Sequence, residues 1–582
     1  MTPALLIDRP SSGQVRDDAY ALGPWVFCDG TLPSGIPLGR VARPYAAPDD
    51  VLAASVKALR DADEATGPVC AALESATGVG ALGTRFWQVY LYKWLAHACG
   101  TLEDLRLRCA AVRGAGARLA PSAGEPDLPP GDFPEYFRLV LGRTGSRQAL
   151  VTAAARRWLE GPDGDPVLYA TAPSSRPPPP SRGAREALTL LASRLWPGAG
   201  AATLFADRYH VSPGEFGVWA AKGSLFPILP PTDSPPTPPD AALRREAFKA
   251  FPEPLRTALT LLLPTSMLEA LPATLARAEA LAASFPRVTR IVTFGQAWTL
   301  PGVSRAAVAL LADRGAKIAS VQHGAGYGTY LASLNAGVEY KLADEFVTWG
   351  WGRDDATTYG QGGKVVPLPS HYLSRLAAHR PGAEKWRFLA ICFSEDIVPR
   401  WLYSPVFPEF ALEYFRRQED MLAGLSRLGS VGVKVPPTDH GWGHVAAMRA
   451  KHPAADFISS PSFPLASLRA GIAVVDYSGT GFLEVLAMDR PFLAAWDRRW
   501  WRGPAAFERH LDELRGLGVF HDEVPSLLAA AETAGRDPAA WWAEPARREA
   551  VARMRHRFAR TSRTSLESFR AFAAGAAAGA AS

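Results

Sequence analysis

The spacing of apolar positions along the chain changes near residue 285. Before that point helical spacing dominates. Val51 to Glu64 and Phe86 to Val112 repeat apolar side chains every three to four positions, the second with aromatic and leucine positions, and each predicts a helix with one buried face. Pro24 to Cys28 predicts a short strand, so the first 110 residues read as mixed α/β, and residues 135–225 predict short helices. Beyond 285, short β-branched runs alternate with helices. Arg290 to Trp298, Ala316 to Val321, Glu345 to Trp351 and Lys364 to Leu368 predict strands, with a helix over Ser304 to Arg314. PGAEKW at 381–386 predicts a hinge. A second series follows, with strands at Phe388 to Phe393, Val431 to Val435, Asp456 to Ser459, Ala473 to Tyr477 and Pro491 to Trp496. Its helices are Phe407 to Leu428, His444 to Lys451 and Phe482 to Met488. Residues 524–575 predict further helices, ending in a frayed Ala/Gly tail.

Strands alternating with helices predict parallel βαβ units with right-handed crossovers. The fold class read from this pattern is α/β, with two Rossmann-like, doubly wound lobes facing across a cleft. Such lobes bind ligands at the C-terminal ends of their strands. The organisation predicted is an N-terminal lobe over 1–380, a C-terminal lobe over 381–545, and a C-terminal helix with a flexible tail over 546–582.

Composition narrows this picture. Gly and Pro number 51 each in 582 residues, and proline at about 9% is nearly double the usual ~5%. The excess sits in three clusters, around 120–134, 171–183 and 226–240, all in the N-terminal half. Such runs favour irregular backbone, so they predict surface loops of the N-terminal lobe. The formal charge of +6 is thin for so long a chain, and no Lys/Arg block stands alone, which argues against a nucleic-acid partner. It permits weak attraction to an anionic substrate or membrane surface. Five cysteines (Cys28, Cys70, Cys99, Cys109 and Cys392), none in a CxxC pair, predict neither a disulfide framework nor a structural zinc site. No basic start followed by an apolar core opens the chain, and no window holds about 18–20 uninterrupted apolar residues, so a cytoplasmic protein is expected.

Four segments carry candidate chemistry. In AVVDYSGTGFLEVLAMDRPFL (473–493) a buried strand runs into Ser478-Gly479-Thr480-Gly481 and then a helix. That turn predicts a phosphate cradle of backbone N–H groups, hydroxyls and the helix dipole, with Glu484 placed to accept from ribose hydroxyls. The same residues also fit an ordinary helix cap. In VKVPPTDHGWGH (433–444), Lys434 sits in an apolar strand, where it suits neutralisation of a phosphate. Asp439 is a candidate hydroxyl acceptor and Trp442 a stacking surface. His440 and His444 have i, i+4 spacing, but two intervening glycines argue against a rigid zinc-binding helix.

In IASVQHGAGYGTY (318–330), a strand leads to Gln322, His323 and Gly324, where glycines admit a ligand and His323 serves as acid, base or oxyanion donor. GAGYG is not the dinucleotide fingerprint, because its third glycine falls too early. In FADRYHVSPGEFGVWAAKGS (205–224), Asp207 and Glu215 are candidate acceptor-side carboxylates, while Ser212, Pro213 and Glu215 equally spell a helix entry. The Asp-x-Asp pairs at Asp61/Asp63 and Asp163/Asp165 lie in a predicted helix and a predicted loop, not after a strand.

QHGAGYGTY with DEFVTWGW, then KVPPTDHGW, then DYSGTGFLEVLAMDRPFLAAWDRRWW, together resemble transferases from bacterial O-antigen and surface-polysaccharide biosynthesis regions. LGPWVF, RFWQVYLYKWLAH and GVFHDEVPS extend the resemblance from about residue 20 to about 565. That family is similar in outline to the two-lobed GT-B glycosyltransferases, including enzymes that transfer Kdo or sialic acid from CMP-sugars. At Pro436-Pro437 this sequence departs from the capsule-type CMP-sugar transferases, which show His-Pro there.

The resemblance implies a nucleotide donor in the C-terminal lobe and a glycan or lipid-linked glycan acceptor facing the N-terminal lobe. It matches Ser478, Thr480 and Lys434 to phosphate and Glu484 to ribose. The expected activity is metal-independent glycosyl transfer without a cofactor, with peripheral contact at the inner membrane's cytoplasmic face. His323 is the first candidate base, with Asp207 or Glu215 behind it, and Asp207 moves forward if configuration is retained by double displacement. A CDP-dependent phospho-polyol transferase and a catalytically silent scaffold remain alternatives.

Overall fold

In the computed structural model, the described residues are 4–6, 19–28, 30–33, 35–115, 118–119, 129–140, 145–160, 201–353, 363–394, 396–397, 402, 407–436 and 440–575. The second proline cluster, and most of the first, therefore lie outside the described residues, as does the end of the tail.

Three sheets form, and every strand pairing within them is parallel. A small one joins β1 (Ala4–Leu6), β2 (Tyr20–Ala21) and β3 (Arg118–Leu119). The N-terminal lobe's main sheet holds β4 (Thr203–Phe205), β5 (Arg290–Thr293), β6 (Lys317–Val321), β7 (Glu345–Thr348) and β8 (Lys364–Pro367), side by side in chain order. The C-terminal lobe's sheet runs β11 (Asp456–Ile458), β10 (Val431–Lys434), β9 (Trp386–Ile391), β12 (Ala470–Val475), β13 (Phe492–Ala495) and β14 (Phe520–His521). Here β9 starts the lobe from the middle, and the chain builds outward to one edge before returning to the other. The neighbours β9 and β12 form a topological switch point.

The C-terminal sheet is covered on both faces because its strands are apolar on both sides of the pleat. Phe388, Ala390, Ile472 and Val474 face the helices Ala411–Leu428 and Val524–Arg536. Leu389, Ala473 and Val475 face the opposite core, which includes the helices Thr480–Met488 and Pro545–Phe558.

The N-terminal sheet reaches the same end differently. Strands in chain order send their crossover helices to one side, since right-handed crossovers that always advance the same way share a face. The other face is closed by the helix Pro213–Ala221 and by the last helix of the chain, Ser565–Ala573. Trp219, Phe226, Phe569 and Phe572 pack there on Phe205, Val292, Val321 and Val347, and Thr203 Oγ1 donates to the Ala573 carbonyl at 2.8 Å. The C-terminal segment therefore divides. Pro545–Phe558 packs on the C-terminal lobe, and Ser565–Ala573 returns to the N-terminal one.

The predicted strands and helices from 290 onward form within a few residues of their expected bounds. Several earlier expectations change. The predicted helix over Val51 to Glu64 runs from Pro48 to Thr77, and Thr203–Phe205, in a stretch expected to form short helices, is a strand. Pro24 to Cys28 is a short helical turn, Pro24–Phe27, because proline has no N–H for a ladder and its fixed φ suits a helix start. The predicted helix over Phe86 to Val112 is two, Thr84–Tyr90 and Tyr92–Val112, meeting at Leu91. The first buries its aromatics against the helix Gly302–Asp313, the second against Pro48–Thr77, and one straight axis does not serve both partners.

Phe569 is buried in the sheet face that the returning chain end covers together with the helix Pro213–Ala221. Phe569→Ala is expected to destabilise the protein by about 3–5 kcal/mol, read from denaturant unfolding. A change within about 0.5 kcal/mol would mean that the helix does not seal this face.

Candidate functional site

β12 ends at Val475, and the next residues lie beside the end of β9. Asp476 is 4% exposed. Its carboxyl accepts from the Tyr414 hydroxyl at 2.7 Å and the Gln418 amide at 2.5 Å. Burial pushes it up to about 7. Tyr477 folds back over the turn, its ring stacked on Phe393 at 4.7 Å. A Cβ on Gly479 would stand 1.8 Å from the Tyr477 ring, so only glycine permits the fold-back.

The helix Thr480–Met488 then starts with no side chain capping it. The Phe482 N–H donates to the Gly479 carbonyl and the Gly481 N–H to the Tyr477 hydroxyl, and the positive end of the helix dipole at this turn favours an anion. Ser478 is 2% exposed, and among the described residues its hydroxyl makes no hydrogen bond. A buried hydroxyl without a partner is a cost that a bound oxyanion would relieve.

Across the cleft, the loop after β6 meets this turn. The Ala325 N–H donates to Thr480 Oγ1 at 3.0 Å, and a Cβ on Gly324 would stand 3.2 Å from the same oxygen. His323, one residue before that glycine, is partly exposed. Gln322 is not part of the ligand face. It is fully buried, its amide donates to the Gly324 carbonyl, and its oxygen accepts from the Trp349 N–H and the Trp351 indole. The expected donor contact at Gln322 is thus a brace for the loop that carries His323.

Glu484 sits in the same helix as Thr480, and burial pushes its carboxyl up to about 7. Its acceptor is occupied by the Tyr372 hydroxyl, from the helix His371–Ala377 that follows β8. Tyr372 stacks on His210 at 4.6 Å, and His210 Nε2 lies 3.0 Å from the His323 carbonyl. Burial draws His210 down to about 4, so it is neutral at neutral pH. A small pocket with a cavity volume of about 20 Å³ lies beside these groups, lined by His210, Trp349, Ser370, His371 and Tyr372.

Other expected site residues stand elsewhere. Lys434 does not share a target with the 478–481 turn. β9 separates its strand from β12, and its ammonium donates to the Ser459 carbonyl beyond β11. Trp442 is 1% exposed and packs edge-on against Phe415 at 5.6 Å, which leaves no face for a base. Asp439 lies outside the described residues. His440 bonds Asp396 while His444 stacks on Phe415, so the two do not converge on a metal.

Asp207 accepts from Thr293 Oγ1 at 2.6 Å and from the Phe294 N–H, tying β4 to β5. Glu215 forms the capping box with Ser212 and bonds His371 Nε2 at 2.6 Å. Both carboxylates are held by the N-terminal lobe's own framework, against their expectation as base or nucleophile. Asp61 and Asp63, on the helix Pro48–Thr77, pair with Lys57 of the same helix and with Lys341 of the helix Leu334–Leu342.

The residues not anticipated are Tyr372, His210, Tyr477 and Asp476. Their signal was position. Each follows a parallel strand at its C-terminal end, the rule that drew attention to His323 and Ser478.

Glu484 and Asp476 set a pH dependence. In the unfolded chain a Glu carboxyl titrates near 4.5, against about 7 in the folded protein. Between those values the folded state binds the extra proton, so stability falls as pH rises through that window. Glu484→Gln removes its share and still accepts from Tyr372. Its stability relative to wild type, read from melting, is expected to be higher at pH 8 than at pH 5, by an amount on the order of 3 kcal/mol at most. Equal differences at the two pH values would rule out a buried, proton-binding Glu484.

Comparison with known proteins adds to this geometry. Residues 215–572, which take in β5 to β14, match the model of the LIC12162 family transferase. Among solved structures, the chain is similar to a mutant O-GlcNAc transferase of Thermobaculum terrenum at 15% identity, over 90% of this chain and 96% of that one, with a TM-score of 0.34. It is similar to MurG of Acinetobacter baumannii at 12% identity, over 64% and 97%, with a TM-score of 0.31. A third likeness is to Os79 of O. sativa in complex with UDP, at 13% identity over 64% and 99%, with a TM-score of 0.37. No curated protein matches the sequence. The family match covers more than half of the chain, and the chain belongs to the LIC12162 transferase family.

Proposed function

We propose that this chain is a glycosyltransferase that moves a sugar from a nucleotide donor to a hydroxyl acceptor. The observation that carries the reading is the meeting of two loops. An uncapped helix terminus with a buried, unpartnered Ser478 hydroxyl faces the loop that bears His323, joined by the Ala325–Thr480 hydrogen bond. Membership of a transferase family supports it.

In this reading the donor phosphate sits at the 478–481 turn. The Ser478 and Thr480 hydroxyls and about half an elementary charge of helix dipole stabilise the leaving nucleotide. The donor enters as Tyr372 and the 322–328 loop draw back from Glu484 and Thr480, which releases the Glu484 carboxyl for a ribose hydroxyl. His323 removes the acceptor proton. The acceptor approaches from the N-terminal lobe, on the side of His210 and Tyr372. CMP-activated acid sugars such as Kdo, and a surface-glycan acceptor, are the finer form of the proposal. The charge at the turn comes from the chain itself, so no divalent metal is invoked.

Calorimetric titration with CMP, UDP, GDP and CDP-polyols, followed by mass spectrometry of donor turnover, tests the reading. Ser478→Ala and Thr480→Val are each expected to weaken the bound nucleotide about tenfold, one lost hydrogen bond to a charged group. His323→Ala is expected to lower turnover by about 10²–10⁴-fold with donor affinity kept. A wild-type protein that binds none of these nucleotides sinks the proposal.

A further inference from the structure

Behind His323 lies a buried ion pair that the donor turn and the acceptor face leave unused. Glu339, on the helix Leu334–Leu342, is 1% exposed, and Lys93, near the start of the helix Tyr92–Val112, is 4% exposed. Their charged atoms are 3.8 Å apart. Burying such a pair costs desolvation that an apolar pair of similar volume avoids, so stability alone does not explain its presence.

The pair connects to His323 through one side chain. Tyr327 is buried, its ring edge-on to His323 at 5.2 Å, with its hydroxyl 3.3 Å from Nε2 and 3.5 Å from Nδ1. The same hydroxyl hydrogen-bonds the Glu339 carboxylate, which also accepts from the Asn335 amide at 3.2 Å. Gly295 closes the arrangement. At φ +82° a Cβ there would stand 2.5 Å from His323 Cε1 and 3.1 Å from Glu339 Oε1, so glycine is required for imidazole and carboxylate to approach.

We propose that Glu339, acting through the Tyr327 hydroxyl, is a positioning residue that orients the His323 imidazole and stabilises its protonated form during transfer, with Lys93 paired to Glu339 behind it. This rests on the reading of His323 as the base. In the step concerned, the acceptor O–H proton passes to one ring nitrogen. The acceptor oxygen bonds to the anomeric carbon, and the anomeric C–O bond breaks with its electron pair leaving on the nucleotide phosphate. Tyr327 accepts from the other ring N–H while donating to Glu339. Burial, and then the charge of Glu339, hold its phenol well above the ordinary range, so it keeps its own proton.

The other titratable groups facing His323 are Asp207, Tyr209 and His210, all from the chain after β4. Asp207 is raised by burial and held by Thr293 and Phe294, and His210 is neutral. Glu339, though paired with Lys93, is thus the carboxylate that Tyr327 links to His323.

The test is imidazole NMR on the full chain, with the His323 signal assigned from His323→Gln, combined with pH–rate profiles. Tyr327→Phe and Glu339→Gln are expected to lower the His323 titration midpoint by about one pH unit. The acid limb of the rate profile should move down with it, and turnover should fall about tenfold with donor KM unchanged. If Glu339→Gln fails to fold because Lys93 is left unpaired, the Lys93→Met/Glu339→Gln double variant replaces it, and Tyr327→Phe keeps the pair intact. An unmoved His323 titration in these variants overturns the inference whatever the activity. A moved titration in a protein that turns over no donor overturns the base assignment instead, and so separates failure of the proposed function from failure of the coupling.

Discussion

Parallel pairing is the constraint from which the site follows. A parallel strand can be continued only by a crossover, so all strands of a sheet end on one edge and their loops gather there. Both large sheets obey this, and the two edges are turned toward each other. That is why a loop at 322–328 and a turn at 478–481, more than 150 positions apart, meet at a hydrogen bond. Strand order then divides the labour. In the C-terminal lobe the order reverses between β9 and β12 and opens a crevice, while the N-terminal lobe, with strands in chain order, has no such reversal and offers loops instead.

The ionisable groups around the cleft are largely drawn toward their neutral forms. Burial raises Asp476 and Glu484 to about 7 and lowers His210 to about 4. With these charges muted, the fixed dipole of the helix Thr480–Met488 dominates the local field, and its sign suits an anion. The Lys434 ammonium contributes little, because it is tied to the Ser459 carbonyl on the far side of β9.

Much of this architecture was legible in the sequence. Alternation of β-branched runs with helices is a local signal, and it located the inner strands of both large sheets and the Ser-Gly-Thr-Gly turn, but not the edge strands β4 and β14. His323 and Ser478 were found because glycine-rich loops after strands are a positional signal too. What escaped were properties that depend on neighbours distant in sequence. Gln322 reads as a ligand until Trp349 and Trp351 take its oxygen. Trp442 reads as a platform until Phe415 covers it. Lys434 reads as a phosphate group until strand order shows which side its strand lies on. Glu339 offered no sequence signal, since a carboxylate within a helix reads as solvated until packing buries it against Lys93.

The return of the chain end to the N-terminal lobe has a mechanical consequence. The polypeptide passes between lobes once ahead of β9 and again between Phe558 and Ser565. The second passage runs along the helix that precedes the first, with the Ser370 N–H donating to the Arg560 carbonyl and the Ser562 N–H to Ser374 Oγ. Two adjacent connections, hydrogen-bonded to each other beside the helix His371–Ala377, tie the lobes at one place, so neither can slide along the other there without breaking these bonds.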